Sequence, residues 1–310
     1  MLIFVVRRLG TMVLTMVVVS LLLFLVLEIN VDDVATKVLG PYSAPESREI
    51  WLEKHGYRDP LHERYARWIS KAVVGDFGDS VRFRVPVGDV LWPRLGNTAI
   101  LALATMMVVI PLSLGLGVLA GMREGSRLDR TISVTSIVTT SVPEFASAVL
   151  ISAVFVFWLD LLPGTSSMSD GFSIVQLILP VMVLVLYDFG YVTRMTRASM
   201  AEVMTTHYIR TAVLKGLPYR TVIVRHALRN ALIAPFTVIM LQINWLLSGV
   251  IVVEFFFAYK GFGALLLEAS LNDDIFMIEA CAMVAVFVAV GTQTISDVGY
   301  TYLNPRIRFA

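Results

Sequence analysis

The residues best placed for chemistry in this chain are cations gathered in one stretch. Arg194, Arg197, Arg210, Lys215, Arg220, Arg225 and Arg229 lie between positions 194 and 235, with Glu202 the sole acid among them. They can hold an acidic surface. Inside the stretch, Tyr208-Ile-Arg-Thr-Ala-Val-Leu-Lys-Gly216 reads as a short helix with a hard stop. Gly216 can take the left-handed position past the helix end, Lys215 complements the negative end of the dipole, and Pro218 cannot continue this helix but can open the next. Two readings stand side by side: a solvated basic loop, and a docking handle for a soluble partner.

The second group of chemically capable residues is polar and sits inside apolar runs. Glu144 follows Pro143 half-way through one run, Asp188 lies in the next, and Gln242 and Asn244 share a later one. An ionised side chain at mid-bilayer costs roughly 2.5–3.5 kcal/mol on insertion scales, so Glu144 is expected to face protein or water. It can meet a cationic group of a solute, serve as a protonated acid bonded to a neighbouring helix, or relay protons. For Gln242 and Asn244, interhelical hydrogen bonds and the lining of a path both remain open. Cys281 is the only cysteine, which excludes an intramolecular disulfide, and it is expected to be a buried packing residue.

Several chemistries are not expected. There is no G-x-x-x-x-G-K-[ST] phosphate loop, so this chain is not expected to hydrolyse ATP, and no Rossmann glycine fingerprint, H-E-x-x-H or G-x-S-x-G occurs. His55, His62, His207 and His226 fall in three separate segments. Neither a catalytic residue, a bound cofactor nor a metal ligand is expected.

The elements that must position these residues are membrane helices. The 310 residues are 57% apolar and only 16% charged. A bilayer core needs about 20 mostly apolar residues per helix. Six runs qualify, near 9–27, 98–120, 132–158, 174–193, 232–256 and 275–298. Backbone satisfaction in lipid makes them helices, so the expectation is an all-α polytopic membrane protein. The first run is too long for a signal-peptide core and reads as a retained anchor. Net charge is only +1, which gives no global field for nucleic acid. Local charge sets orientation instead. Arg7 and Arg8, the arginines of 121–131 and the cations of 194–231 fall on one side, whereas 159–173 has no cation and 257–274 only Lys260. By the positive-inside rule both termini are cytoplasmic.

Within 29–95, Ser43-Ala-Pro-Glu46 predicts a capping box with Gly56 as the stop, and a second helix runs from Asp59-Pro60 to before Gly75. That helix carries Leu61, Tyr65, Trp68, Ile69 and Ala72 at helical spacing, fitting the outer membrane surface or the mouth of a bundle. Trp51, Trp68 and Trp92 are expected in the interfacial belt. Ser113, Gly117 and Gly121 form a small-residue stripe for close helix packing. Pro111 and Pro143 are expected to kink their helices.

Read together, the motifs resemble the permease subunit of dipeptide/oligopeptide-type ATP-binding-cassette importers, specifically the subunit with the longer first external loop. The similarity rests on Arg7-Arg-Leu9, Asp59-Pro-Leu-x-x-x-Tyr65, Gly75-Asp-Phe-Gly-Asp-Ser80, Pro86-Val87, Arg94-Leu-x-Asn-Thr98 and Arg194-x-x-Arg-Ala-Ser-Met200. It continues through Tyr208–Leu217, His226-Ala-Leu-Arg-Asn-Ala-Leu232, Val253-Glu254, Gly261-Phe-Gly263 and Asn304-Pro-Arg-Ile-Arg308, covering nearly the whole chain in order.

The resemblance implies a type I importer permease fold with six transmembrane helices in the bacterial cytoplasmic (inner) membrane. Residues 1–28 make the first helix, 29–95 an external helical segment, and 96–310 a five-helix core with a coupling loop near 194–231. It places Glu202, Tyr208, Arg210, Thr211, Ala212, Lys215 and Gly216 in the loop that docks on a separate ATPase subunit. Glu144, Gln242 and Asn244 are the translocation-path candidates. The implied partners are a second related permease, two ATPase subunits or domains that use ATP and magnesium, and an external solute-binding protein. The implied solute is a peptide, with oligosaccharides, opine-like compounds and metal chelates as alternatives. The chain departs from the pattern at Asn30-Val-Asp-Asp33, at Gly96 and at Ala234 before Pro235, near the outer mouth or at helix starts. A proton-coupled transporter using Glu144 and Asp188, or a membrane scaffold, is the competing class, but the internal symmetry expected of the former is not visible.

Overall fold

A computed structural model describes residues 2–28, 31–169, 171–247 and 250–303; Asn30 and the tail motif at 304–308 lie outside the described residues. Regular structure among them is helical, apart from one bridge between Asp79 and Pro86. In chain order the helices are α1 (Leu2–Glu28), α2 (Val31–Leu39), α3 (Pro45–Lys54), α4 (Leu61–Val73), α5 (Val87–Gly121), α6 (Arg127–Ser141) and α7 (Glu144–Ser152). Then follow α8 (Ile174–Met204), α9 (His207–Leu214), α10 (Tyr219–Ala231), α11 (Ile233–Leu247), α12 (Ile251–Phe256), α13 (Phe262–Leu271) and α14 (Ile275–Leu303). Wider π-helical turns extend α7 over Ala153–Trp158 and make up Val222–Ala227 of α10.

Four helices (α1, α5, α8 and α14) are long and apolar enough to cross a membrane alone. Two bent pairs qualify together, α6 with α7 and α10 with α11, giving six spans when each pair counts once. Lipid is the solvent their surfaces need: Val13, Leu14 and Leu22 of α1 are each more than half exposed.

Two of the spans differ from their sequence expectation. The third run is not a kinked helix but two helices meeting at 100°. Pro143 has no N–H for the preceding turn and holds Val142 extended at φ −86°, ψ 123°, so the chain leaves one helix and starts another. The fifth span lies earlier than expected, as α10 and α11 bent by 51° at Leu232. Pro235 cannot donate to the carbonyl of Ala231, which loosens the ladder there. Pro111, by contrast, lies within the single element α5.

The chain forms two compact units. Among the described residues, the first contains 2–28, 31–98, 247, 250–251 and 260–294. Its core joins Val87 and Leu91 of α5 to Phe262, Leu265 and Ala269 of α13 and Met277, Ala280 and Cys281 of α14. Cys281 is fully buried, as expected of a packing residue. Asp274 organises this unit. Its carboxylate accepts from the Ser80 hydroxyl, from the backbone N–H groups of Val81 (3.2 Å) and Arg82 (3.1 Å), and from that of Met277 (3.3 Å). Nearby, Asn97 Nδ2 donates to the Lys260 carbonyl at 2.8 Å, and the Phe262 N–H donates to Thr98 Oγ1 at 2.7 Å.

Helix α4 packs against α1 and α14 within the first unit. On α4, Tyr65 Oη lies 2.7 Å from Ser20 Oγ of α1, and Tyr65 and Trp68 both rest on the buried Phe24. Trp68 Nε1 donates to Glu279 Oε2 of α14 at 3.0 Å. The capping box at Ser43 is not formed. Ala44 is the N-cap without a side-chain bond, because Ser43 Oγ donates to the Gly40 carbonyl and accepts from Arg48 Nε. Pro45 opens α3, and Gly56 ends it at φ +70°. Arg58 bridges Glu49 and Asp32 and holds the Glu49 carboxyl below the ordinary carboxylate range.

Among the described residues, the second unit contains 99–169, 171–246, 252–259 and 295–303. Its spine is α5 against α8. Ser113 Oγ donates to the Phe189 carbonyl at 3.3 Å, Gly117 faces Thr196, and Gly121 faces Met200, so the small-residue stripe does what its spacing predicts. Gly190 of α8 meets Ser136 of α6 at a backbone-to-backbone contact with no room for a Cβ.

Candidate functional site

Within the second unit, the basic stretch folds into a platform made of the end of α8, α9 and α10. α9 is short because its ends are fixed. Thr206 breaks it from α8 with an extended backbone (φ −70°, ψ 150°), and Gly216 stops it at φ +73°. The Gly216 N–H donates to the Val213 carbonyl at 2.9 Å and the Leu217 N–H to that of Ala212 at 3.4 Å, a pattern that needs a left-handed residue between them. No atom lies within 4 Å of the site of a Gly216 Cβ, so glycine is required there by backbone conformation and not by crowding.

One face of α9 is inward. Ile209 and Ala212, three residues apart, pack with Met200 of α8 and Val222, Ile223 and Ala227 of α10. Burying Ile209 stabilises the platform by about 1.5–3 kcal/mol relative to leaving it exposed. The opposite face is left to solvent: Tyr208, Arg210, Thr211, Val213, Leu214 and Lys215 are exposed, as is Glu202 at the end of α8. Tyr208 is anchored as well as exposed, since its hydroxyl accepts from Asn230 Nδ2 at 3.0 Å. Thr211 Oγ1 turns back to the His207 carbonyl at 2.9 Å. Of the seven residues expected to form the loop, Ala212 is a packing residue and the other six are on the outside or at the stop.

The polar residues of the spans converge at a second place in the same unit. Asp188 of α8 is completely buried, and Gln242 Nε2 of α11 donates to its Oδ1. The interhelical bond expected of Gln242 is thus made. Glu144, half-buried, is the first residue of α7 after the break, and it lies within electrostatic range of Asp188 and Tyr187. An acid in a first helical turn complements the helix dipole. Tyr187 stacks on Trp245 with ring centroids 5.1 Å apart and lies 5.9 Å from Tyr191. Gln242 and Trp245 share a face of α11 because they are three residues apart. Asn244 is half-buried but about 200° round the helix from Gln242, so it points elsewhere.

Sequence reasoning named Glu144 and Gln242 but left Tyr187, Tyr191 and Trp245 out. The signal available was the Tyr187-Asp188 pair and the Gln242–Trp245 spacing, which place aromatic rings beside the polar groups in two separate runs.

Comparison with known proteins follows the same lines. The family described as "Binding-protein-dependent transport system inner membrane component" matches residues 113–309, and its N-terminal part, "Binding-prot-dependent transport system membrane comp, N-term", matches 1–113. The oligopeptide transport system permease protein AppB of Bacillus subtilis is 32% identical over 298 residues, covering 94% of each chain. The probable peptide ABC transporter permease protein y4tP of Sinorhizobium fredii is 31% identical over 311 residues, covering 99% of each. The dipeptide transport system permease protein DppB of Escherichia coli strain K12 is 32% identical over 337 residues, again 99% of each. Matched along its whole length and built of helices that pass the membrane test, this chain belongs to the binding-protein-dependent transport system inner membrane component family.

Proposed function

We propose that this chain is a permease subunit of an ATP-driven importer for peptides, and that it forms the solute path together with a second, related permease. The relatives' descriptions as peptide, oligopeptide and dipeptide permeases support the solute class. The observation that carries the mechanism is α9, a helix fixed at both ends, buried by Ile209 and Ala212, and open on the face bearing Tyr208, Arg210, Thr211 and Lys215. A soluble ATPase subunit that binds this face can push on α8 and α10 through the packed core beneath it. ATP and magnesium are then used by the partner, and this chain supplies the lever. An external binding protein delivers the solute. Both termini are cytoplasmic on this reading. Glu144 and Gln242, with Asp188, line the path; Asn244 lies on another face of α11.

Co-purification tests the docking claim. The chain, expressed with its neighbouring transporter subunits, is expected to retain a nucleotide-binding subunit. Arg210→Glu with Lys215→Glu weakens that association about tenfold, or about 1.4 kcal/mol for two exposed charges reversed. The effect shrinks as salt rises, because exposed charges are screened within about 8–10 Å at physiological ionic strength. Retention of the ATPase unchanged by the double variant at all salt concentrations refutes the docking face.

A further inference from the structure

Asp188 is the most unusual polar group in the described spans. It has no exposed surface, yet only one of its carboxylate oxygens is engaged: Oδ1 accepts from Gln242, while the buried Oδ2 has no hydrogen-bond partner. A buried, half-satisfied carboxylate is costly whether ionised or neutral, and more so in a span. Such a group persists where something else completes it. Its neighbourhood defines what that is. Glu144 adds a second acid within electrostatic range, and the stacked rings of Tyr187 and Trp245 add π faces. The nearest guanidinium on α8 is Arg194, six residues or about 9 Å further along the helix, and it lies over the Tyr191 ring at 5.7 Å. Two acids and aromatic rings select a cation with some apolar surface, which describes an organic ammonium group better than a hydrated metal ion.

The elements bearing the group are also interrupted beside it. Glu144 stands directly after the 100° break between α6 and α7, and Gln242 and Trp245 lie on the helix that follows the 51° bend at Leu232. Breaks beside polar groups are where membrane transporters place solute sites.

We propose that Asp188, with Glu144 and the Tyr187–Trp245 pair, binds the ammonium group of the transported solute. The proposal rests on the permease reading and assigns the solute chemistry that this part of the path selects. Asp188 Oδ2 accepts from the ammonium, Gln242 holds the carboxylate in place through Oδ1, and the rings cover the adjoining methylene groups.

The assembled transporter, labelled with fluorotryptophan and placed in lipid nanodiscs, tests this directly. The Trp245 resonance, assigned from the Trp245→Phe spectrum, is followed while propylammonium or neutral propionamide is added, both without nucleotide and in a vanadate-trapped state. The expected result is a saturable shift with propylammonium in at least one state and none with propionamide. Asp188→Asn raises the midpoint at least tenfold, and Glu144→Gln, at the half-buried edge, raises it by a smaller factor. The proposal is overturned by equal responses to both probes, by no response in either state, or by an unchanged midpoint in both variants. Any of these leaves Asp188 a packing acid. ATP-dependent uptake is measured on the same preparation: a complex that takes up no solute refutes the permease reading, while the Trp245 titration still decides the ammonium site.

Discussion

Arg197 grips Asp129 with two parallel hydrogen bonds, Nε to Oδ1 at 2.9 Å and Nη2 to Oδ2 at 2.8 Å. The pair joins α8 to the first turn of α6, and Asp129 also accepts from the Gly125 N–H at 2.9 Å while its own N–H is capped by Ser126. The Asp129 side chain is 4% exposed and that of Arg197 28%. Removing the guanidinium strands a buried carboxylate. Arg197→Ala is expected to destabilise the unit by about 3 kcal/mol, at the low end for a buried pair because Arg197 keeps some solvent contact. Arg197→Lys recovers only part of this, since the planar fork is lost. Thermal unfolding in detergent measures both. An unchanged midpoint for Arg197→Ala contradicts the assignment.

The contact of α5 with α8 sets a second expectation. A Cβ at Gly117 would stand 2.8 Å from the Thr193 carbonyl oxygen, and one at Gly121 2.7 Å from that of Arg197. Backbone cannot yield as a side chain does. Gly117→Val is expected to cost about 1–3 kcal/mol by overpacking. Gly115, on the same helix with nothing within 4 Å, provides the control. Equal thermal stability of Gly117→Val and Gly115→Val argues against the close approach.

Orientation is read from cysteine labelling in a Cys281→Ser background. Asn272 and Thr205 are both exposed and flank different spans. Asn272→Cys is expected to react with an impermeant maleimide only from outside, and Thr205→Cys only from inside. The reverse pattern inverts the topology.

Much of this was legible because the relevant physics is local. Gly216 followed by Pro218 states a helix end in three residues, and Ser113, Gly117 and Gly121 state a packing face by spacing alone. The break at Pro143 was legible as a disturbance, but its 100° angle depends on how α7 packs against α8, which spacing does not encode. Ser43 misled because a capping box is a local pattern open to local competition, and Arg48 together with the Gly40 carbonyl occupied its hydroxyl. Asp274 was passed over for the opposite reason: its hydroxyl and N–H partners at 80–82 are almost two hundred positions away. Tyr187 and Trp245 looked like ordinary apolar residues of their runs until α8 and α11 met.

The measurement that tests the central claim most directly is solute uptake by the reconstituted transporter carrying Gly216→Val. A β-branched residue at φ +73° is sterically poor, and left-handed backbone costs an L-residue about 1–2 kcal/mol, so the stop of α9 is lost while α5, α8 and α14 still insert. The account predicts that the native complex accumulates a labelled dipeptide only with ATP and the external binding protein present. It predicts that Gly216→Val, inserted to the same level, loses at least nine-tenths of that uptake. Accumulation driven by a proton gradient without ATP, or full ATP-driven uptake by Gly216→Val, contradicts it.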